Sequence, residues 1–174
     1  MMLRVLNLYF SEMIRIIEDY GGTVEKNTGD GLMAYFEDLS DIAANSTHRA
    51  VACSLTMAAA NDNLLGPIYR ASGTQPITHR VSIEHGQVTV ARIGAPGRFN
   101  ANVAVGNVAN FAAKMLAHLV GGQIGLGHNA WERLPEQWRT NFTGLSDVST
   151  GWTFGPGGAP YPLHLYTGRW ARVT

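Results

Sequence analysis

Two short extended runs separated by Gly29-Asp30-Gly31 form the first recognisable unit of the chain. Residues 23–28 precede this turn and residues 32–36 follow it, and extended runs around an Asp-Gly pair are typical of a β-hairpin. Residues 3–20 carry apolar side chains at steps of three and four, which predicts an amphipathic helix directly before the hairpin. A helix that leads into a hairpin favours an α+β fold over a doubly wound parallel sheet.

Comparable patterns predict the elements that follow. Helices are expected at residues 40–61 and 107–119, with one or two helical turns at 129–134. Strands are expected at residues 77–84, 87–93, 102–105, 123–126 and 163–166, the last of them at a sheet edge. Residues 63–76 and 151–162 are rich in Gly and Pro and are expected to be loops.

Length and charge limit the kind of protein. The 174 residues contain no internal repeat or linker, so we expect one domain over residues 1–174. Thirteen Lys and Arg balance thirteen Asp and Glu, which excludes the basic field that drives non-specific nucleic-acid binding. Charged residues make up only 15% of the chain, so a partner chain is expected to cover part of the surface.

The compartment follows from cysteine use and hydropathy. Cys53 is the only cysteine, so an internal disulfide is excluded and a reducing compartment is favoured. The sequence lacks an apolar run long enough to span a bilayer, and its first residues lack the zones of a signal peptide. We expect a cytoplasmic protein with no membrane segment in this chain.

Several common catalytic motifs are absent from the sequence. It contains no P-loop, no complete dinucleotide-binding fingerprint and no G-x-S-x-G elbow. Its six histidines form no i, i+4 pair and have no cysteine partner, so a zinc site is not expected.

Three segments together resemble the class III adenylate and guanylate cyclase catalytic domain. They are residues 21–36, 80–94 and 105–115, and they occur in the family's order and spacing within residues 6–134. The resemblance implies a ferredoxin-like antiparallel sheet packed by helices. It also implies a signalling enzyme that converts a nucleoside triphosphate to its 3′,5′-cyclic nucleotide and pyrophosphate.

The hairpin segment carries two of the family's site positions. Asp30 matches the second of two aspartates that hold Mg²⁺ or Mn²⁺ in the family, although a tight Asp-Gly turn alone also explains an aspartate there. Lys26 matches the lysine with which adenylate cyclases recognise the base, which makes ATP the leading substrate. A solvated strand lysine is the alternative for Lys26.

Asn110 and Lys114 are four residues apart and therefore share one helix face. They match an asparagine and an arginine that orient the ribose and stabilise the transition-state phosphate in the family. Lysine keeps the charge but lacks the bidentate fork of arginine, so reduced function is expected unless Arg92 or Arg98 substitutes. A surface charge without function is the alternative for Lys114.

Val103 departs from the family, which has an aspartate or threonine there that bonds the base. Asn100 and Asn102 flank it, and their amides could bond a different base. A UTP or CTP cyclase, as in the bacterial anti-phage branch of the family, is therefore an alternative.

A further departure lies at the start of the chain. The family's domain opens with a strand that carries the first metal aspartate, whereas only residues 1–5 precede the first helix here. The late triphosphate-binding lysine also has no match, because no lysine follows Lys114. We expect either a shortened start or an incomplete metal site, and a non-catalytic domain that binds nucleotide or dimerises is the second alternative. The family pairs its domains head to tail, so a homodimer with two equivalent sites is expected.

Overall fold

The first three elements are those that the sequence predicts. Helix α1 (Met2–Asp19) leads into strands β1 (Gly22–Asn27) and β2 (Leu32–Phe36), which pair as an antiparallel hairpin. The computed structural model describes residues 2–27, 29–39, 44–95, 99–145, 150–154 and 156–168.

The remaining elements follow in chain order. The other helices are α2 (Ser46–Ala60), α3 (Gly66–Ala71), α4 (Asn107–Met115), α5 (His128–Glu132) and α6 (Glu136–Arg139). A π-helical segment (Asn61–Leu65) joins α2 to α3, and a 3₁₀ turn (Leu116–His118) follows α4. The other strands are β3 (Val81–Ile83), β4 (Thr89–Ala95), β5 (Phe99–Val105), β6 (Ile124–Gly127), β7 (Phe142–Gly144), β8 (Thr153–Phe154), β9 (Ala159–Pro160) and β10 (Leu163–Tyr166).

The central sheet has the strand order β3-β6-β10-β7. Strand β10 pairs antiparallel with both β6 and β7, whereas β3 pairs parallel with β6. The α+β class is confirmed, and the sheet is antiparallel except at the β3–β6 pair, which is parallel. A parallel pair needs a long crossover, and the β4–β5 hairpin and α4 supply it.

Strand β10 lies inside this sheet and not at its edge. The edge expectation is wrong because β7, which the sequence pattern did not predict, pairs with the side of β10 that faces away from β6. The pairing joins Tyr166 to Phe142 and Leu165 to Thr143.

Two helical regions also differ from the predictions. Helix α2 begins at Ser46 and is capped by Asn45, whose Oδ1 accepts a hydrogen bond from the His48 amide at 2.9 Å. The expected start at residues 40–41 lies outside the described residues. The expected loop at residues 63–76 is helical as far as Ala71. Pro67 lies in the first turn of α3, directly after the π-helical segment.

The core has two main clusters on either side of α2. Met13 and Ile16 of α1 pack with Leu65, Tyr69 and Cys53. A second cluster, which contains Val51, Leu55, Leu126, Ala130 and Phe142, lies between α2 and the central sheet. Burial raises the pKa of the Cys53 thiol to about 12, as expected for an inert buried cysteine.

Buried Arg49 ties the hairpin to both helices. From α2, its guanidinium donates to the carbonyls of Tyr20 and Gly21, at 3.0 and 3.1 Å, and to the carbonyl of Glu37 just after β2. Its Cζ also lies 5.9 Å from the centre of the Phe36 ring. One side chain therefore fixes where the hairpin starts and where it ends.

Apolar side chains are exposed on the β4–β5 hairpin. Val90 is 43% exposed and Val105 is 48% exposed, and the pairing of Val105 with Thr89 places these two side chains on opposite faces of the hairpin. Within the described residues, no helix has the length and apolar character that a bilayer crossing requires.

Candidate functional site

The turn between β1 and β2 presents Asp30 to solvent. Asn27 Oδ1 accepts a hydrogen bond from the Gly29 amide at 2.7 Å, which closes an Asx turn. Gly29 has φ +98°, a conformation that favours glycine. Asp30 follows directly and is exposed, so its carboxylate is accessible to a ligand.

Lys26 lies on β1 just before this turn, opposite Met33 of β2. Its side chain is 48% exposed, and its Nζ is 3.1 Å from Oε1 of the neighbouring Glu25. Lys26 and Asp30 therefore flank one turn, both accessible to solvent.

Val103 and Asn102 lie on β5, a strand that contacts β1. Within the β4–β5 hairpin Val103 pairs with Ala91 and Asn102 with Arg92. Val103 is half-buried and supplies only apolar contact. The side chain of Asn102 and the whole of Arg98 lie outside the described residues.

Asn110 and Lys114 are both exposed on α4. Helix α4 packs on β3 and β6, and Ser82 Oγ donates to the carbonyl of Ala112 at 2.6 Å. Gly86 permits this close approach, because a Cβ there would lie 2.6 Å from Val108 Cγ2. The predicted residues thus fall into two groups. One group lies on β1, the β1–β2 turn and β5, and the other lies on α4.

The sequence reasoning missed a buried carboxylate at the end of β3. Tyr161 Oη donates to Glu84 Oε2 at 2.7 Å, and the His85 amide donates to Glu84 Oε1 at 2.8 Å. Burial raises the pKa of Glu84 in spite of these bonds. A Cβ on Gly127 would overlap the Glu84 carboxylate, so the carboxylate can occupy this position only because residue 127 is glycine. No motif or spacing in the sequence joins residues that are so far apart in the chain.

Two histidines pair next to Glu84. His128 Nδ1 and His164 Nε2 are 3.2 Å apart, and His164 stacks on Trp131 with ring centres 4.4 Å apart. His128 Nε2 is also 3.3 Å from Glu132 Oε1. In the part of the chain that the structure describes, no group of three or more His, Cys, Asp or Glu side chains has an arrangement that could hold a metal ion.

Acidification from pH 7 to pH 5 is expected to destabilise the fold through His164. Burial, and next the charge of His128, lower the pKa of His164 to about 4, against about 6.5 in an unfolded chain. Between these values the unfolded chain binds the proton more readily, so the stability is full above pH 6.5 and falls as the pH drops towards 4. The loss from this group is about 2 kcal/mol at pH 5.

Urea unfolding at both pH values measures this effect against His164→Gln, which keeps hydrogen bonding but has no titrating ring. The variant is expected to lose about 2 kcal/mol less than the wild type on acidification. Equal losses in the two proteins would contradict the role of His164.

The family model that matches residues 1–156 is the adenylate and guanylate cyclase catalytic domain. The chain belongs to this family. The match contains every predicted site residue of the cyclase domain, on the hairpin, on β5 and on α4. No curated protein matches the chain.

Solved cyclase structures share the fold of this cyclase domain. The guanylyl cyclase Cya2 is 25% identical, with 94% of this chain and 78% of that chain covered and a TM-score of 0.69. The adenylyl cyclase CyaB from P. aeruginosa is 20% identical, with 99% and 85% covered and a TM-score of 0.73. The guanylate cyclase domain of RhGC from Catenaria anguillulae, solved in complex with GTP, is 17% identical, with 97% and 85% covered and a TM-score of 0.75. Both adenylyl and guanylyl cyclases are therefore similar to this chain.

Proposed function

We propose that this domain is a cytoplasmic signalling enzyme, an adenylate-type cyclase that converts ATP to 3′,5′-cyclic AMP and pyrophosphate between two copies of the chain. The observation that carries the proposal is the β1–β2 turn, which presents Lys26 and Asp30 four residues apart and accessible to solvent. A structural turn needs an Asp-Gly pair, but it does not need an accessible lysine at the preceding strand end.

Lys26 supports ATP as the substrate. An ammonium group only donates hydrogen bonds, and adenine offers ring nitrogens that accept them. The N1–H and amino groups of guanine are themselves donors, so they cannot accept a hydrogen bond from an ammonium group. Val103, on β5, has only apolar side-chain atoms and so cannot discriminate between the donors and acceptors of a base.

Asp30 fits a divalent cation bound together with the substrate. Its exposed carboxylate is a hard oxygen ligand, and Mg²⁺ commonly binds proteins through one or two carboxylates plus substrate phosphates. Such a cation, Mg²⁺ or Mn²⁺, neutralises triphosphate charge and acts as a Lewis acid when bound. Asp30 would therefore hold it in company with the phosphate oxygens.

Asn110 and Lys114 suit the reacting end of the nucleotide. Cyclisation forms a bond between the ribose 3′ oxygen and the α-phosphorus while the bond from that phosphorus to pyrophosphate breaks. An amide on α4 can orient the ribose, and an ammonium one turn later can stabilise the negative charge that develops on the phosphate. Because Lys114 has no bidentate fork, we expect a slower enzyme than one with arginine there.

A homodimer would allow the two groups of residues to meet across an interface. Lys26 and Asp30 lie at the β1–β2 turn, whereas Asn110 and Lys114 lie on α4, which packs on β3 and β6. A two-fold pair can bring the turn of one copy to the α4 of the other and so form two equivalent sites.

Incubation with each of the four nucleoside triphosphates and Mn²⁺, with product identification by mass spectrometry, tests the proposal. Cyclic AMP is expected as the main product. Cyclic GMP as the main product would overturn the role of Lys26, and cyclic UMP or cyclic CMP would favour the pyrimidine alternative that Val103 suggests. Nucleotide binding without any product would favour the non-catalytic alternative that Lys114 suggests.

A further inference from the structure

An irregularity in β1 puts two consecutive charged side chains together. Val24 pairs with Ala34 and Lys26 pairs with Met33, so Glu25 is an extra residue in the ladder. In a regular strand, neighbouring side chains point to opposite faces, but a bulge re-aims them. Here the bulge leaves Glu25 Oε1 only 3.1 Å from Lys26 Nζ.

The two partners differ sharply in exposure. The Glu25 side chain is 1% exposed, whereas that of Lys26 is 48% exposed. Among the described residues neither carboxylate oxygen of Glu25 has a hydrogen-bond donor of good geometry, so the charge of Lys26 is what compensates the carboxylate. A buried carboxylate is costly unless a cation stays close to it. Glu25 therefore restrains the ammonium on its buried side, while the solvent-exposed side of Lys26 remains accessible to a ligand.

The neighbouring strand explains why such a restraint is needed here. Strand β5 contacts β1 and carries Val103 at the position where the resemblance places an acidic side chain or a threonine. Valine has no polar atom that could hold an ammonium or bond a base. Among the described residues Glu25 is the acidic side chain that pairs with Lys26, so without it the flexible four-carbon stem would lose its charged restraint.

We propose that Glu25 is a positioning residue, which holds the Lys26 ammonium in the direction of the nucleotide base and supplies from β1 the carboxylate that is missing from β5. The proposal rests on the proposed function, since it requires Lys26 to meet the base. It assigns base selectivity to the Glu25–Lys26 pair, and it makes the bulge in β1 the structural device that creates that selectivity.

Equilibrium binding of ATP and GTP in the presence of Mn²⁺, measured by calorimetry, tests the role of Glu25 whether or not the chain turns over. Glu25→Gln keeps the shape of the side chain and removes its charge. We expect the variant to bind ATP about tenfold more weakly and to lose about tenfold of its preference for ATP over GTP. Glu18→Gln, at an exposed position on α1, is the matched control and should bind both nucleotides as the wild type does.

A rescue separates positioning from simple structural damage. Adding Val103→Asp to Glu25→Gln returns a carboxylate to the vicinity of Lys26 from β5, and we expect it to restore most of the lost preference. A misfolded hairpin would not regain selectivity from a substitution on another strand. Failure of the double variant to recover, with both variants folded as judged by circular dichroism, would overturn the proposal.

The remaining outcomes distinguish this proposal from the proposed function. If the wild type prefers ATP and Glu25→Gln keeps that preference, Glu25 has no positioning role and the cyclase proposal stands. If selectivity depends on Glu25 but no cyclic product forms, the positioning role stands and catalysis is overturned. If the wild type binds neither nucleotide, both proposals are overturned.

Discussion

Replacing Asp30 with alanine is expected to reduce Mn²⁺-dependent turnover at least about 100-fold. The carboxylate is exposed at the end of an Asx turn, and it is the group on the β1–β2 hairpin best placed to hold a cation against the triphosphate. Losing it removes several kcal/mol of stabilisation of the charge that develops on the phosphate. Asp30→Asn should lose activity similarly, since its amide keeps the turn chemistry but not the charge.

Steady-state assays with Mn²⁺ measure this loss, and the melting temperature should not change because Asp30 is exposed. Asp19→Ala is the matched control. Asp19 lies at the end of α1, is 56% exposed and pairs with Arg15, so its removal should change the rate less than about twofold. Undiminished activity of Asp30→Ala would remove Asp30 from the cation site.

Replacing Arg49 with methionine is expected to lower the free energy of unfolding by about 3 kcal/mol. The guanidinium donates to the carbonyls of Tyr20, Gly21 and Glu37, and methionine has a similar length but no donor. Each carbonyl that loses its donor while buried costs free energy. The hairpin should also move more freely, because both of its ends lose their anchor.

Urea denaturation measures the change in stability. Arg15→Met provides the control, since Arg15 is 56% exposed and its ion pairs with Glu12 and Asp19 lie on the surface, where such pairs contribute less than about 1 kcal/mol. A loss for Arg49→Met no larger than that for Arg15→Met would show that the three carbonyls do not depend on the guanidinium.

Local patterns predicted the elements whose side chains repeat with a clear period. Helix α1 and the β1–β2 hairpin were predicted nearly to the residue, because their apolar spacing and Asp-Gly turn are independent of the rest of the chain. The Gly and Pro content of residues 63–76 predicts a loop, whereas the segment Asn61–Leu65 and α3 are helical, because Gly66 and Pro67 are tolerated in the first turn of α3.

The pairings between distant segments could not be predicted from the sequence. The parallel β3–β6 pair and the position of β7 depend on packing that no local pattern encodes. The same holds within the site. Lys26 and Asp30 could be located from their motif, but alternation along a strand places Glu25 on the opposite face from Lys26. The bulge that reverses this expectation emerges only from the register of the two strands.

The interior position of β10 affects how the chain can be made. Among the described residues, strand β10 is the last strand in sequence, yet it lies between β6 and β7 in the central sheet. During synthesis these two strands leave the ribosome without a partner between them and must wait for residues 163–166. We therefore expect the central sheet to close only after residues 163–166 have been synthesised, whereas α1 and the first hairpin can pair at once.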